Sequence, residues 1–400
     1  MVNVIPTVIY SSMMGMVIFA LFDVFSRSKH RQNFYLGSLL VLLLCHILGE
    51  LFIYSGAYKY APALAGVQFP IRMLLGPALF FYAYAAMSPG KSIPKKFYLW
   101  ALTGPVIVIL GILPFLFGIS PEDKLALADP ATRDPELFKI AAFTCLFALS
   151  VFVIFTGIYL VATFKLQRRH RLQLMEKYAA LESRAMDWLK IILVLWGAAW
   201  FLYTLEYGIG LMGIRWFGAS IVLPTFEAIV LMLFAHFALK QPVIEDADKA
   251  KPENADESCV NEGSSDIKPA NHFETKPYRV AALEHRQMEQ IANKLMQAMN
   301  QDKLFLEEDL SLKRLSESIS VSENYISETL SQFLKTNFFH FVNGFRVELA
   351  KSLLIDTDQT VTNIVFEVGF NSKSTFNTAF KKSTNTTPSA YRNQNRLKSA

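Results

Sequence analysis

Seven long apolar stretches dominate the first 240 residues, at about 4–25, 34–55, 64–87, 97–118, 138–164, 189–211 and 217–239. Each approaches the roughly 20 residues that a helix needs to cross about 30 Å of hydrocarbon. Helices of a soluble protein keep a polar stripe, and these stretches mostly do not. The pattern predicts seven membrane-spanning helices. The first stretch is expected to be a span and not a signal peptide, because no Lys or Arg precedes Arg27.

After residue 240 the pattern changes. Residues 241–284 are rich in Asp, Glu, Asn and Ser and poor in core-forming side chains, the composition of a disordered linker. Apolar positions then return at helical spacing among polar ones. Met288, Ile291, Leu295 and Met299 mark a helix over about 284–301. Leu312, Leu315 and Ile319 mark a short one, and Ser322 caps the next, which buries Ile326 and Leu330. A long helix from about Phe338 to Asp356 buries Phe341, Val342, Phe345, Leu349 and Leu353. A second short helix carries Val361, Ile364 and Val365; Gly369-Phe370 turns the chain, Ser372 caps, and Phe376 and Phe380 face inward. Helix–turn–helix therefore occurs twice, at about 312–334 and 360–383, within a domain spanning 285–396. The expected fold is all-α, a seven-helix transmembrane bundle followed by an all-helical double helix-turn-helix domain.

Composition sharpens this reading. Charged residues make up 18 %, against about 25 % in an average soluble domain, so part of the chain is not built for water. Cys45, Cys145 and Cys259 lie far apart with no Cys/His ligand spacing, which argues against a disulfide scaffold or a zinc site. His46 and His236 have no motif context for a nucleophile–base pair. No enzyme activity, metal or cofactor is expected.

Charge orients the bundle. One set of alternate loops holds 13 Lys and Arg, including Arg27, Lys95 and the cluster Arg168–Arg171; the other set holds 5. The basic set is expected in the cytoplasm, the N-terminus outside, and the C-terminal domain in the cytoplasm. Residues 165–188 read as a helical extension of spans five and six. Inside the spans lie Glu50, Arg72, Glu206 and Glu227, all in the outer half or near the midplane. Ionisable groups there are costly and tend to be functional. They admit three readings: an ion pair that locks the bundle, a ligand pocket open to the outside, or an ion or proton path. One Arg among three Glu leaves a negative surplus suited to a cationic or hydroxylated ligand. Pro70 and Pro224 precede two of these charges and are expected to kink the backbone.

Two stretches carry a resemblance, NFFHFVNGFRVELAKSLL (337–354) and IVFEVGFNSKSTFNTAFKKSTNTTPSAYR (364–392). Over about 285–396 the chain resembles the DNA-binding domain of the AraC/XylS family of bacterial transcription regulators, most closely a subgroup with a multi-span N-terminal membrane region. The resemblance implies two recognition helices that enter successive major grooves, their separation fixed by the long central helix. The first would offer Glu323, Asn324, Ser327 and Glu328, and the second Lys373, Ser374, Asn377, Thr378 and Lys381, with Lys382 at its edge. Asn pairs with adenine, and Ser or Thr suits base edges or phosphate. Residues 285–359 carry 8 basic and 11 acidic side chains, whereas 360–400 carry 6 and 1, so phosphate attraction should come from the second motif. Lys335 stands where the family commonly has Gly, Ser316 replaces a usual Ala, and two carboxylates on the first recognition helix are unusual.

The sequence thus reads as a membrane-anchored one-component transcription regulator of the bacterial inner membrane. Its expected partners are double-stranded promoter DNA, the lipid bilayer, a small-molecule or lipid signal and RNA polymerase; a homodimer is left open. The alternatives are a transporter or a membrane interaction protein with a degenerate helical C-terminal domain.

Overall fold

The computed structural model describes residues 3–88, 90–127, 132–182, 184–211, 221–241 and 285–399. Among them the regular elements are helical, with one isolated antiparallel bridge. The chain separates into two compact units. One comprises Met1–Leu172 with Glu182–Glu245, and the other Gln173–Leu181 with Asp246–Ala400. The stretch expected as a linker, beyond Gln241, lies outside the described residues.

Among the described residues, the first unit contains seven helices long and apolar enough to cross a membrane. They are α1 (Val4–Ser26), α2 (Arg31–Tyr54), a broken third formed by α3 (Gln68–Met73) and α4 (Leu75–Met87), α5 (Lys95–Gly118), α7 (Pro135–Met175), α8 (Trp188–Leu211) and α9 (Val222–Lys240). Between α5 and α7, the short α6 (Pro121–Ala126) is capped by Ser120. The expected kinks take a different form. The third span breaks at Leu74, and Pro70, Pro77 and Pro224 each sit in the first turn of a helix, where no backbone N–H is needed. Residues 217–220 of the seventh expected span lie outside the described residues.

Tyr10 and Val17 of α1, Leu39 and Ile47 of α2, Tyr82 of α4, Ile192 of α8 and Phe234 of α9 share one buried core. A second core joins Met73, Val108, Ile112, Ala148 and Phe152. Gly104 on α5 makes room for α7, since a methyl there would lie 2.6 Å from the Phe155 ring. Outward-facing positions are also apolar: Ile18, Phe19, Phe22 and Phe25 of α1 are all at least half exposed, a run of neighbouring apolar side chains rather than single ones.

The second unit contains α10 (His285–Asn300), α11 (Leu312–Ile319), α12 (Glu323–Glu328) running into a π-turn at Thr329–Phe333, α13 (Phe338–Asp356), α14 (Val361–Glu367), α15 (Lys373–Thr384) and α16 (Pro388–Ser399). Short polar side chains start them. Ser311, Ser322, Asn337, Thr360 and Ser372 each accept a hydrogen bond from a first-turn N–H, a contribution of about 1 kcal/mol apiece. α13 belongs to two cores. Its first half, with Phe338, Phe341 and Val342, packs with Leu295, Leu315, Ile326 and Leu330. Its second half, with Val347, Ala350 and Leu354, packs with Ile364, Val365, Phe376 and Phe380.

One expectation fails here. Helix α7 ends at Met175, and residues 176–187 are not helical as far as they are described. The cause is competing pairing. Tyr178 bridges Ser311, Ala179 N–H donates to Leu310 O at 3.2 Å, and Leu312 N–H donates to Lys177 O at 2.8 Å.

Candidate functional site

The two helix-turn-helix motifs are α11–α12 and α14–α15. Their turns use left-handed backbone. Ser320 closes the first helix at φ 52°, and Gly369 the second at φ 90°. The unusual Ser316 has a local role, since its hydroxyl donates to Val321 O at 2.6 Å and ties the first turn. Lys335, the position where Gly is common, has φ 52°.

On α15, Lys373, Ser374, Asn377, Thr378, Lys381 and Lys382 are all exposed and recur at helical spacing along one side. The Thr378 hydroxyl donates to Ser374 O at 2.9 Å. Lys382 is not independent of the rest of the domain, because its Nζ donates to His340 Nε2 of α13 at 3.1 Å. Burial, and then the Lys382 charge, hold the His340 pKa below the ordinary histidine value. On α12, Asn324 is exposed, whereas Glu323, Ser327 and Glu328 are half-buried. Glu328 accepts from Gln332 at 3.2 Å. Sequence reasoning overlooked Tyr325, an exposed aromatic beside Asn324.

It also overlooked what holds the motifs together. Arg346 is 1 % exposed on α13. It donates to Phe305 O and Glu307 O at 2.7 Å and to Asn343 Oδ1 at 3.2 Å. Its guanidinium lies 5.4 Å from the centre of the Phe370 ring, in the second motif. The signal was available, since Arg346 stands four residues from both Val342 and Ala350 on the buried face. Arg392 plays a matching part, donating to Leu354 O at 3.1 Å and Gln359 O at 2.6 Å.

In the first unit three of the four charges expected inside the spans come together. Arg72 pairs with Glu50, and its guanidinium lies 4.8 Å from the centre of the Tyr203 ring. Glu227 accepts from Tyr10 OH at 2.8 Å. His46 stands between the carboxylates, Nδ1 3.9 Å from Glu50 and Nε2 3.9 Å from Glu227. A cavity of about 60 Å³ adjoins this group, walled by Phe152, Trp196, Trp200 and Phe234 among others. Glu206 is half-buried on α8 and does not line it. The part of His46 is invisible to a search for nucleophile–base motifs. Its spacing from Glu50, four residues along α2, places both on one face.

A family model described as a helix-turn-helix domain matches residues 315–394. An uncharacterised HTH-type transcriptional regulator of Staphylococcus aureus is 40 % identical over 100 residues, which are 25 % of this chain and 13 % of that protein. The uncharacterised HTH-type transcriptional regulator YtdP of Bacillus subtilis is 30 % identical over 90 residues, 22 % of this chain and 12 % of its own length. The chain therefore spans about an eighth of these relatives. The C-terminal domain of AraT, a response regulator from Geobacillus stearothermophilus, aligns at 32 % identity over 27 % of this chain and 84 % of that one, with a TM-score of 0.24. Residues 315–394 are a helix-turn-helix domain of the AraC type, carried by a chain whose described residues include seven membrane-length apolar helices.

Proposed function

We propose that the protein is a membrane-anchored one-component transcription regulator. The second unit binds promoter DNA sequence-specifically through two helix-turn-helix motifs, and the helical bundle sets its activity in response to a signal. The observation that carries this reading is the presence of both parts in one chain. The regulators to which the C-terminal region is similar support the DNA-binding half. Apolar side chains on the outside of the first unit support the membrane half. The excess of Lys and Arg in alternate loops supports an N-terminus outside and a DNA-binding unit in the cytoplasm of a bacterium. RNA polymerase is the partner such a regulator would engage at a promoter, and two copies meeting in the membrane plane would suit paired operator sites.

Within the bundle, the cavity beside Arg72 is the proposed signal site. Arg72 Nε and His46 Nδ1 are buried without a hydrogen-bond partner, and such groups call for an explanation. The site would take a small, largely apolar molecule with an oxygen acceptor for Arg72 and a cationic or hydroxyl group for Glu227. Aromatic walls suit the apolar part.

The test uses the full-length protein in lipid nanodiscs, mixed with fragmented bacterial genomic DNA. Enrichment of a defined sequence, altered by Asn377→Ala, is the expected result. Retention of no DNA above empty nanodiscs would make the C-terminal unit a protein-binding module instead.

A further inference from the structure

The second unit contains one stretch from far away in the chain, Gln173–Leu181, and the domain is built around it. Tyr178 and Ser311 form an antiparallel bridge whose two main-chain hydrogen bonds join Ala179 to Leu310 and Leu312 to Lys177. A third hydrogen bond fixes the stretch from the side, Asn343 Nδ2 donating to Ala179 O at 3.2 Å. Ala179 is 1 % exposed and belongs to the core with Leu310, Leu312 and Phe341.

The attachment points are informative. Ser311 is the residue whose hydroxyl caps α11, the first helix of the first motif. Asn343 also accepts from Arg346, which ties α13 to the 305–307 segment and to Phe370. The segment thus meets both the entry to the first motif and a neighbour of the residue that joins the two motifs. These three hydrogen bonds go to Leu310, Leu312 and Asn343, and not to the α12 and α15 side chains proposed to face DNA.

Covalent distance supplies the rest. The 44 residues 241–284 separate α9 from α10. Only Glu176 separates the end of α7 at Met175 from the docked Lys177. A change at the end of α7 or the start of α8 therefore reaches this segment through far fewer bonds than it reaches α10.

We propose that Lys177–Leu181 is a docking segment that couples the membrane bundle to the DNA-binding domain. Docked, it orders the entry to the first motif and favours DNA; undocked, it releases that motif. The inference rests on the reading of the protein as a DNA-binding regulator. Coupling is reciprocal, so DNA must also favour docking.

A disulfide makes the test. Tyr178 and Ser311 are a non-hydrogen-bonded pair, whose Cα atoms lie about 4.5 Å apart in antiparallel strands, within the range of about 4.4–6.8 Å that a disulfide spans. The full-length protein carries Tyr178→Cys and Ser311→Cys, with Cys45, Cys145 and Cys259 changed to Ser, in phosphatidylethanolamine/phosphatidylglycerol nanodiscs. The DNA is the sequence enriched by the unmodified protein. Oxidised protein should bind it at least about fivefold more tightly than the same protein reduced, the lower end of typical coupling energies. Adding that DNA should speed disulfide formation, and Ala179→Asp in the unmodified chain should weaken binding. The lost Ser311 cap is common to both redox states and drops out of the comparison. Equal or weaker binding by fully cross-linked protein overturns the coupling, as does failure of the disulfide to form. If the reduced and unmodified proteins enrich no sequence while the disulfide forms readily, the regulator reading fails and the docked segment stands as a structural element only.

Discussion

A methyl group at Gly369 would lie 2.7 Å from Phe305 O and 2.8 Å from Leu306 O, on a residue whose φ is 90°. Both neighbours are backbone and cannot step aside. Gly369→Ala should destabilise the second unit by about 1–3 kcal/mol, read as faster amide exchange in α13 to α15 of the full-length protein. Lys335 is the reverse case. It holds a left-handed conformation that costs a side-chain-bearing residue roughly 1 kcal/mol, so Lys335→Gly should slow the same exchange. The sequence flagged this position from its departure from the family pattern, and the backbone angle explains why glycine is common there. Arg72 is different, because a sequence cannot choose among three carboxylates on three helices. The pairing with Glu50 is tertiary information. Arg72→Gln or Glu50→Gln alone should lower the bundle's thermal midpoint, since a stranded buried charge typically costs about 3–5 kcal/mol. The double variant should recover most of the loss, whereas Arg72→Gln with Glu206→Gln should not.

At the scale of elements, α15 should govern DNA affinity. Replacing a phosphate-contacting Lys373 or Lys381 by Ala should reduce the log–log salt slope by about 0.9 each, and Glu323→Gln should leave it unreduced. Asn377→Ala should change which sequences bind, by about 1–3 kcal/mol at its base position. Between α13 and α15, the contact of His340 with Lys382 predicts a pH effect. Folding disfavours the proton on His340, so the unfolded chain takes it up first as pH falls. Stability present above the unfolded value of about 6.5 is therefore lost as pH falls through it toward the lower folded value. The protection of α13 and α15 amides, taken relative to the intrinsic exchange rate at each pH, should fall between pH 7.5 and 5.5 by less in His340→Gln than in the native protein. Helices α11 to α15 were legible because each begins at a short polar cap and repeats its apolar positions. The end of α7 was not, because the apolar spacing of 176–187 suits a helix and only the pairing of Lys177–Ala179 with the distant Leu310–Leu312 edge competes with it.

The whole molecule makes a prediction about sides. Reporter fusions after Lys91, Leu172 and Gln241 should report the cytoplasm, and a fusion after Pro62 the outside. An outer signal at Gln241 would place the DNA-binding unit on the wrong side and end the regulator reading. The number of long apolar helices was readable from hydropathy alone, because every backbone polar group in lipid must be satisfied within its own helix. The way those helices gather Tyr10, His46, Glu50, Arg72, Tyr203 and Glu227 was not, since it depends on how five separate segments rotate against one another.

The carbonyls and ring gathered around Arg346 also set a length standard. With α13 common to both cores, the two motifs cannot turn independently, so a protein that reads through both works as a calliper on the double helix. One base pair inserted between its half-sites rotates the far half by roughly 35°, from about 10–10.5 base pairs per turn, and the calliper has no joint to follow it. Operators should therefore tolerate base changes within a half-site far better than any change in the distance between them.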